Sequence, residues 1–277
     1  MRARIWLLLT LLTMLNMWSM SAEANDRKDK KKKKTEVVNI DDPTLPVPDP
    51  PVMVLTPQTP LAPERDFMCE TVSTHVANRS IMGIDVSHYQ GQIDWREVAR
   101  NSDVHYVYVK ATEGAELVDN MYKTNLRGAR RAGLRVGIYH FYIPSVSPQR
   151  QFQNLRSAVD LRDIDLLPII DIERRGRESL PVFQQNLKTF IQLVERHYGV
   201  KPVLYCSRDF YNKYLSGPFT SYKYMIARYH PDIPELCDNA AFVMWQFSST
   251  SYVRGIRGHV DRSCMMDSYT LRDILIR

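Results

Sequence analysis

From residue 81 onward the chain alternates between two hydrophobic periods. Ile81–Val86, Val104–Ala111, Leu134–Tyr142 and Leu166–Glu173 are short apolar runs rich in Val, Ile and Tyr. Such runs predict strands covered on both faces. Between them, Met121–Ala132, Gln149–Leu161 and Ser179–Tyr198 space their apolar residues three and four apart, which predicts amphipathic helices. Ser147-Pro148 and Ser179 with Pro181 suit helix starts, and Gly133 and Gly199 suit helix stops. Trp95–Arg100 fits a shorter helix. Later strands are predicted at Val203–Cys206, Tyr224–Ala227, Phe242–Phe247 and His259–Asp261, with fewer helices between them. Repeated strand-helix units imply parallel strands. About eight strands in roughly 200 residues predict an α/β fold, a single irregular (β/α) TIM-like barrel. A regular one takes about 250 residues, so some crossover helices must be short or missing.

Polar residues interrupt the apolar pattern mainly at strand ends. Asp85 and Ser87, Lys110 and Glu113, Tyr139, Asp171 and Glu173, Gln246 and Asp261 all stand there. A parallel barrel gathers the C-terminal ends of its strands at one mouth, so a shared cleft is expected. The run Leu166 to Glu173 is the most informative. Strand side chains alternate, so Asp171 and Glu173 face the same way. An unpaired carboxylate in an apolar wall costs several kcal/mol or keeps its proton. Two neighbouring acids separate their pKa values, leaving one to donate a proton while the other stays an anion. Glycosidic bond cleavage uses that division of labour; an ion-pair anchor is the structural alternative.

Other residues carry paired readings. Asp85 could balance the charge of the acid pair and Gln90 bind sugar hydroxyls; the alternative is a strand-end turn cap using Asp85 and Ser87. Lys110 and Glu113 read as an ion pair, on the cleft floor or on the surface. Tyr139, Tyr205, Trp245 and Gln246 can stack on sugar rings and satisfy sugar hydroxyls. Phe141 and Phe247 read as core. His140 alternates with Tyr139 and is expected to face out of the barrel, which leaves it no catalytic role.

The chain ends change the picture of charge. Arg2 and Arg4, an apolar run from Ile5 to Leu15 and Ala22-Glu23-Ala24 have the layout of an export signal over residues 1–24. Residues 25–75 read as a disordered tether, with Lys30 to Lys34 followed by eight of the 16 prolines between Asp41 and Pro63. The folded domain is expected over 76–277. Formal net charge is +6, and residues 1–36 hold nine Lys or Arg against four Asp or Glu, which is +5 and leaves +1 for the rest. The basic balance therefore belongs to the tail, which could meet an anionic envelope surface through Lys30–Lys34. Without a basic face or interleaved aromatics in the domain, nucleic-acid binding is not expected.

Several chemistries lack their signatures. There is no G-x-S-x-G elbow, no glycine-rich phosphate loop and no metal-ligand spacing of histidines, so no cofactor or metal is expected. Cys69, Cys206, Cys237 and Cys264 contain no CxxC pair. Exported, they permit up to two disulfides in three connectivities, and free buried thiols are equally compatible.

Six segments in order then carry a resemblance: Asp85 to Gln90, Tyr108 to Gly114, Gly137 to Phe141, Asp171-Ile172-Glu173, Trp245-Gln246 and Val260-Asp261. Together, over about residues 81–265, they resemble the family 25 glycoside hydrolases, the Chalaropsis-type lysozymes. The resemblance implies an irregular barrel that cleaves the β-1,4 bond between N-acetylmuramic acid and N-acetylglucosamine in peptidoglycan; the export signal places it in the periplasm, envelope or medium, and a monomer is expected. It implies Glu173 as general acid, with Asp171 orienting the substrate's N-acetyl group as internal nucleophile. Asp85 and Asp261 match the other cleft carboxylates, and Tyr139, Lys110, Glu113, Tyr205, Trp245 and Gln246 match groove positions. Ser263 departs from the Asn often found two residues after Asp261. Two rivals remain at this stage. A chitinase-like glycosidase also ends a strand in Asp-x-Glu, but its longer acidic run is missing here. A non-catalytic wall-binding module would require a damaged acid pair.

Overall fold

The computed structural model describes residues 76–276 except 101, 102, 239 and 241. The expected export segment, the tether and Cys69 lie outside the described residues. Nine strands form one sheet: β1 (Ala77–Val86), β2 (Tyr106–Glu113), β3 (Leu117–Val118), β4 (Arg135–Phe141), β5 (Ile169–Asp171), β6 (Val203–Ser207), β7 (Lys223–Ala227), β8 (Phe242–Ser251) and β9 (Val260–Met266). Their order is β1-β9-β8-β7-β6-β5-β4-β2-β3, and β1 also pairs with β2. That extra pairing closes an eight-strand barrel, with the two-residue β3 appended outside the ring. Around the ring, β1, β2, β4, β5, β6, β7 and β8 pair parallel in succession, whereas β9 is antiparallel to both β8 and β1, and the appended β3 is antiparallel to β2.

Side-chain alternation sorts the strand residues into two cores. On β2, Tyr106 and Tyr108 point into the barrel while Val107 and Val109 pack outward under the helices. Two glycines make room for the rings. A Cβ on Gly83 would lie 2.0 Å from the Tyr106 ring, and one on Gly137 would lie 2.3 Å from the Tyr108 ring. The phenols are also satisfied: Tyr106 OH shares a hydrogen with Ser263 Oγ at 2.9 Å, and Tyr108 OH donates to the Leu167 carbonyl at 3.3 Å. Ser263, the departure from the family pattern, is thus part of the barrel's internal polar packing. At the opposite end from the mouth, Leu166 bridges Leu275, and both Leu166 and Ile274 are buried. This bridge explains why the expected strand 166–173 shortens to Ile169–Asp171: its first residues plug the barrel floor, and Pro168 has no N–H to give a ladder.

Helices α1 (Trp95–Arg100), α2 (Tyr122–Arg131), α3 (Pro148–Ala158) and α4 (Leu180–Tyr198) cover the first crossovers. Ser147 precedes Pro148 but gives no cap bond to the backbone; its hydroxyl donates to Gln149 instead. After β6 a short α5 (Arg208–Phe210) widens into one π turn (Tyr211–Leu215), which the sequence pattern did not predict. It is too brief to show a helical period. Between β7, β8 and β9 no helix is assigned among the described residues. Cys206, Cys237 and Cys264 are free thiols, so none of the disulfides possible among these three forms.

Candidate active site

Thirteen residues line a cleft of about 180 Å³ at the mouth. Its acids come from three regions of the ring: Asp85 near the end of β1, Asp171 at the end of β5 with Glu173 two residues beyond, and Asp261 on β9. Asp261 corrects the expectation of a C-terminal strand end. It sits near the start of β9, and reaches the same rim because β9 runs backwards. In register it lies directly opposite Asp85.

The neighbours of these acids are polar and fixed. Gln246 Nε2 donates to Asp85 Oδ2 at 3.1 Å. Its amide oxygen accepts from Tyr205 OH at 2.8 Å and from Tyr229 OH at 2.9 Å. Two phenols on the oxygen therefore fix which end of the amide meets the acid. Lys110 Nζ pairs with Glu113 at 2.5 Å; the lysine is buried against the cleft, and Glu113 lies outside it, half-buried. Asp171 is buried, and its Oδ1 has no hydrogen-bond partner.

Desolvation and crowding hold protons here. Asp85 is pushed up to about 8, first by burial and then by Asp261, with the Gln246 hydrogen bond opposing. Asp261 rises to about 6 through burial and the Glu173 charge. Burial and then Glu173 raise Asp171 well above the carboxylate range, against the pull of Lys110. Glu173 stands at the solvent edge; partial burial raises it, while Arg174 and Lys110 lower it. Carboxyls that keep a proton toward neutral pH sit here beside an ammonium and several hydroxyl and amide groups. This set can protonate a leaving group and bind a hydroxyl-rich substrate.

Of the residues singled out in the sequence, Asp85, Lys110, Tyr139, Asp171, Glu173, Tyr205, Gln246 and Asp261 meet in the cleft. Gln90 does not. It completes a capping box with Ser87, accepting Ser87 N–H at 2.9 Å and donating to the His259 carbonyl at 3.3 Å. Trp245 is also elsewhere: it alternates with Gln246, so its ring is buried outside the barrel wall, with Nε1 donating to the Arg228 carbonyl at 3.0 Å. Sugar stacking by Trp245 is therefore ruled out by the phase of the strand. His140 does face outward, 2.8 Å from Thr112 Oγ1 and against Phe190, and burial lowers its pKa to about 4.

Among the residues that escaped the sequence reading, two aromatics line the cleft and a third lines the hollow beside it. Phe141, read as core, lines the cleft with Lys110 and Arg174 over its ring at 5.2 and 5.7 Å. Tyr89 forms an exposed lip stacked on His88, whose Nδ1 lies 2.6 Å from the buried Asp119 carboxylate. Tyr229 follows β7 by two residues, as Glu173 follows β5; the same strand-end rule could have found it. Past Glu173 and Tyr205 the cleft opens into a second hollow of about 690 Å³, so an extended chain can pass through. Among the described residues, no group of three or more His, Cys, Asp or Glu is arranged to hold a metal ion.

Comparison with known proteins agrees with this geometry. Residues 84–256 match the sequence pattern of glycosyl hydrolases family 25. The uncharacterized protein YegX of Escherichia coli K12 is 36% identical over 189 residues, covering 67% of this chain and 69% of its own. The autolytic lysozyme of Clostridium acetobutylicum is 30% identical over 179 residues, 65% of this chain and 54% of that protein. A family 25 glycosyl hydrolase structure from Bacillus anthracis superposes with a TM-score of 0.63 at 26% identity, covering 70% of this chain and 94% of that one. Barrel, acid-lined mouth and sequence likeness agree: this chain belongs to glycosyl hydrolases family 25.

Proposed function

We propose that this glycoside hydrolase is an exported muramidase, cutting the β-1,4 bond between N-acetylmuramic acid and N-acetylglucosamine in peptidoglycan. The observation that carries the reading is the meeting of Asp85, Asp171, Glu173 and Asp261 in one cleft that continues as a groove. Relatives named lysozyme support the substrate class.

Glu173, at the rim, gives its proton to the glycosidic oxygen as the C1–O bond breaks. The substrate's N-acetyl carbonyl oxygen attacks C1 from the opposite face, and Asp171 accepts the N-acetyl N–H on its unpartnered Oδ1. That hydrogen bond favours the anionic form of Asp171 and so offsets its desolvation. Asp171, once anionic, stabilises the positive charge growing on the sugar, while Asp85, which keeps its proton to about pH 8, can donate a hydrogen bond to the substrate. Glu173, now a carboxylate, takes a proton from water, which opens the cyclic intermediate at C1. Two inversions give net retention. Asp261, Tyr139, Tyr205, Lys110 and Gln246 bind and orient the sugars. The export signal over 1–24, the tether over 25–75 and attachment through Lys30–Lys34 belong to the same proposal.

The test is Glu173→Gln. Its fold should be retained, and release of reducing ends from peptidoglycan should fall by about 10³-fold, within the usual range for a lost general acid. Mass spectrometry of wild-type fragments should show N-acetylmuramic acid at the reducing end. Wild-type turnover by the variant, or digestion of chitin in preference to peptidoglycan, would overturn the reading.

A further inference from the structure

On the far side of Tyr89 lies a groove of about 1410 Å³. Tyr89 lines both spaces, so the groove continues the cleft around its lip. Its walls are α1, the C-terminal end of α2 and the β8–β9 loop, which bring Arg96, Arg131 and Arg257 to one opening. All three are exposed, and none has an ion-pair partner among the described residues. The acids there are already engaged. Asp94 accepts the N–H groups of Arg96 and Glu97 at 3.1 and 3.2 Å, and Glu97 pairs with Arg100.

The walls are held at fixed separations. A Cβ on Gly128 would lie 2.2 Å from the Trp95 ring, which locks α2 against α1. A Cβ on Gly255 would lie 2.4 Å from the Asp94 carbonyl oxygen, and Asp94 N–H donates to the Gly255 carbonyl at 2.9 Å. The loop is thereby pinned to the start of α1. The result is a positive concavity of fixed shape that continues a sugar-binding cleft.

Resting on the muramidase reading, we propose that this groove receives the carboxylate-bearing peptide stem of the muramic acid units. Stem peptides carry free carboxylates and arrive covalently attached to the glycan strand. Guanidinium groups match carboxylates in bidentate geometry, and linking the two contacts to one strand multiplies their effect. The arginines thus select stem-bearing glycan.

The experiment compares reducing-end release from peptidoglycan with that from the same glycan stripped of its stems by an amidase. In the variant R96Q/R131Q/R257Q, kcat/KM on stem-bearing material should fall roughly tenfold, about 1.4 kcal/mol, and on stripped glycan by less than about twofold. Raised salt should erase the difference between wild type and variant. Equal losses on both substrates, or no loss on either, would overturn the proposal. Arg131→Glu alone, with its melting temperature measured, guards against a folding defect in the triple variant. Should the wild type cut neither substrate, the muramidase reading itself falls, a result distinct from failure of the stem site alone.

Discussion

Glu173 and Asp171 differ by two positions and by depth. Glu173 keeps contact with water, whereas Asp171 is buried with one oxygen unpartnered. The cations around Glu173 set its working range. Arg174 and Lys110 both lower its pKa, and both hover over Phe141. Lys110 is already paired with Glu113, which leaves Arg174 as the adjustable partner. A general acid must hold its proton, so activity falls as pH rises through its pKa. Arg174→Ala removes a charge that favours the anion, so the alkaline limb of kcat/KM should move to higher pH. A limb unchanged or moved to lower pH would show that Arg174 does not act on the acid.

At the level of elements, barrel closure depends on glycines facing tyrosines. The Tyr106 ring occupies the space a Cβ on Gly83 would need, and its hydroxyl is held by Ser263 of β9. These contacts tie β2, β1 and β9 together at the seam where parallel and antiparallel pairing meet. Gly83→Ala places a methyl 2.0 Å from the ring, and the ring cannot retreat without giving up its buried hydrogen bond. Overpacking of this kind should cost ~3 kcal/mol, read as a lower urea midpoint with an unchanged slope. A midpoint equal to that of the wild type would mean that the ring has room to move.

Taken whole, the molecule concentrates acids in a closed ring and loses stability for it. Asp85 keeps its proton to about pH 8 in the fold, against an ordinary value of 3.8. The folded chain therefore binds the extra proton between those values, and stability falls as pH rises through that window. Asp85→Asn removes the titration while keeping an acceptor for Gln246. The variant should match the wild type near pH 4 and exceed it by at least ~1 kcal/mol at pH 9, while losing activity. Thermal unfolding at both values checks this; equal gains at the two would place the effect outside Asp85 ionisation.

Much of this was legible along the chain because local periodicity depends on near neighbours. Strand and helix runs predicted the barrel, and acids at strand ends predicted the mouth. What escaped was set by distant partners. The phase of β8 puts Gln246 inside and Trp245 outside, and shifting such a strand by one residue exchanges them. Gln90 was claimed by a turn cap on Ser87 and by the His259 carbonyl at the entry to β9. Asp261 entered the cleft from the start of a strand, because β9 reverses direction to close the ring. Residue types thus carried the chemistry available to this chain, and ring closure chose which side chains meet, since strand direction, register and desolvation exist only once distant segments pair.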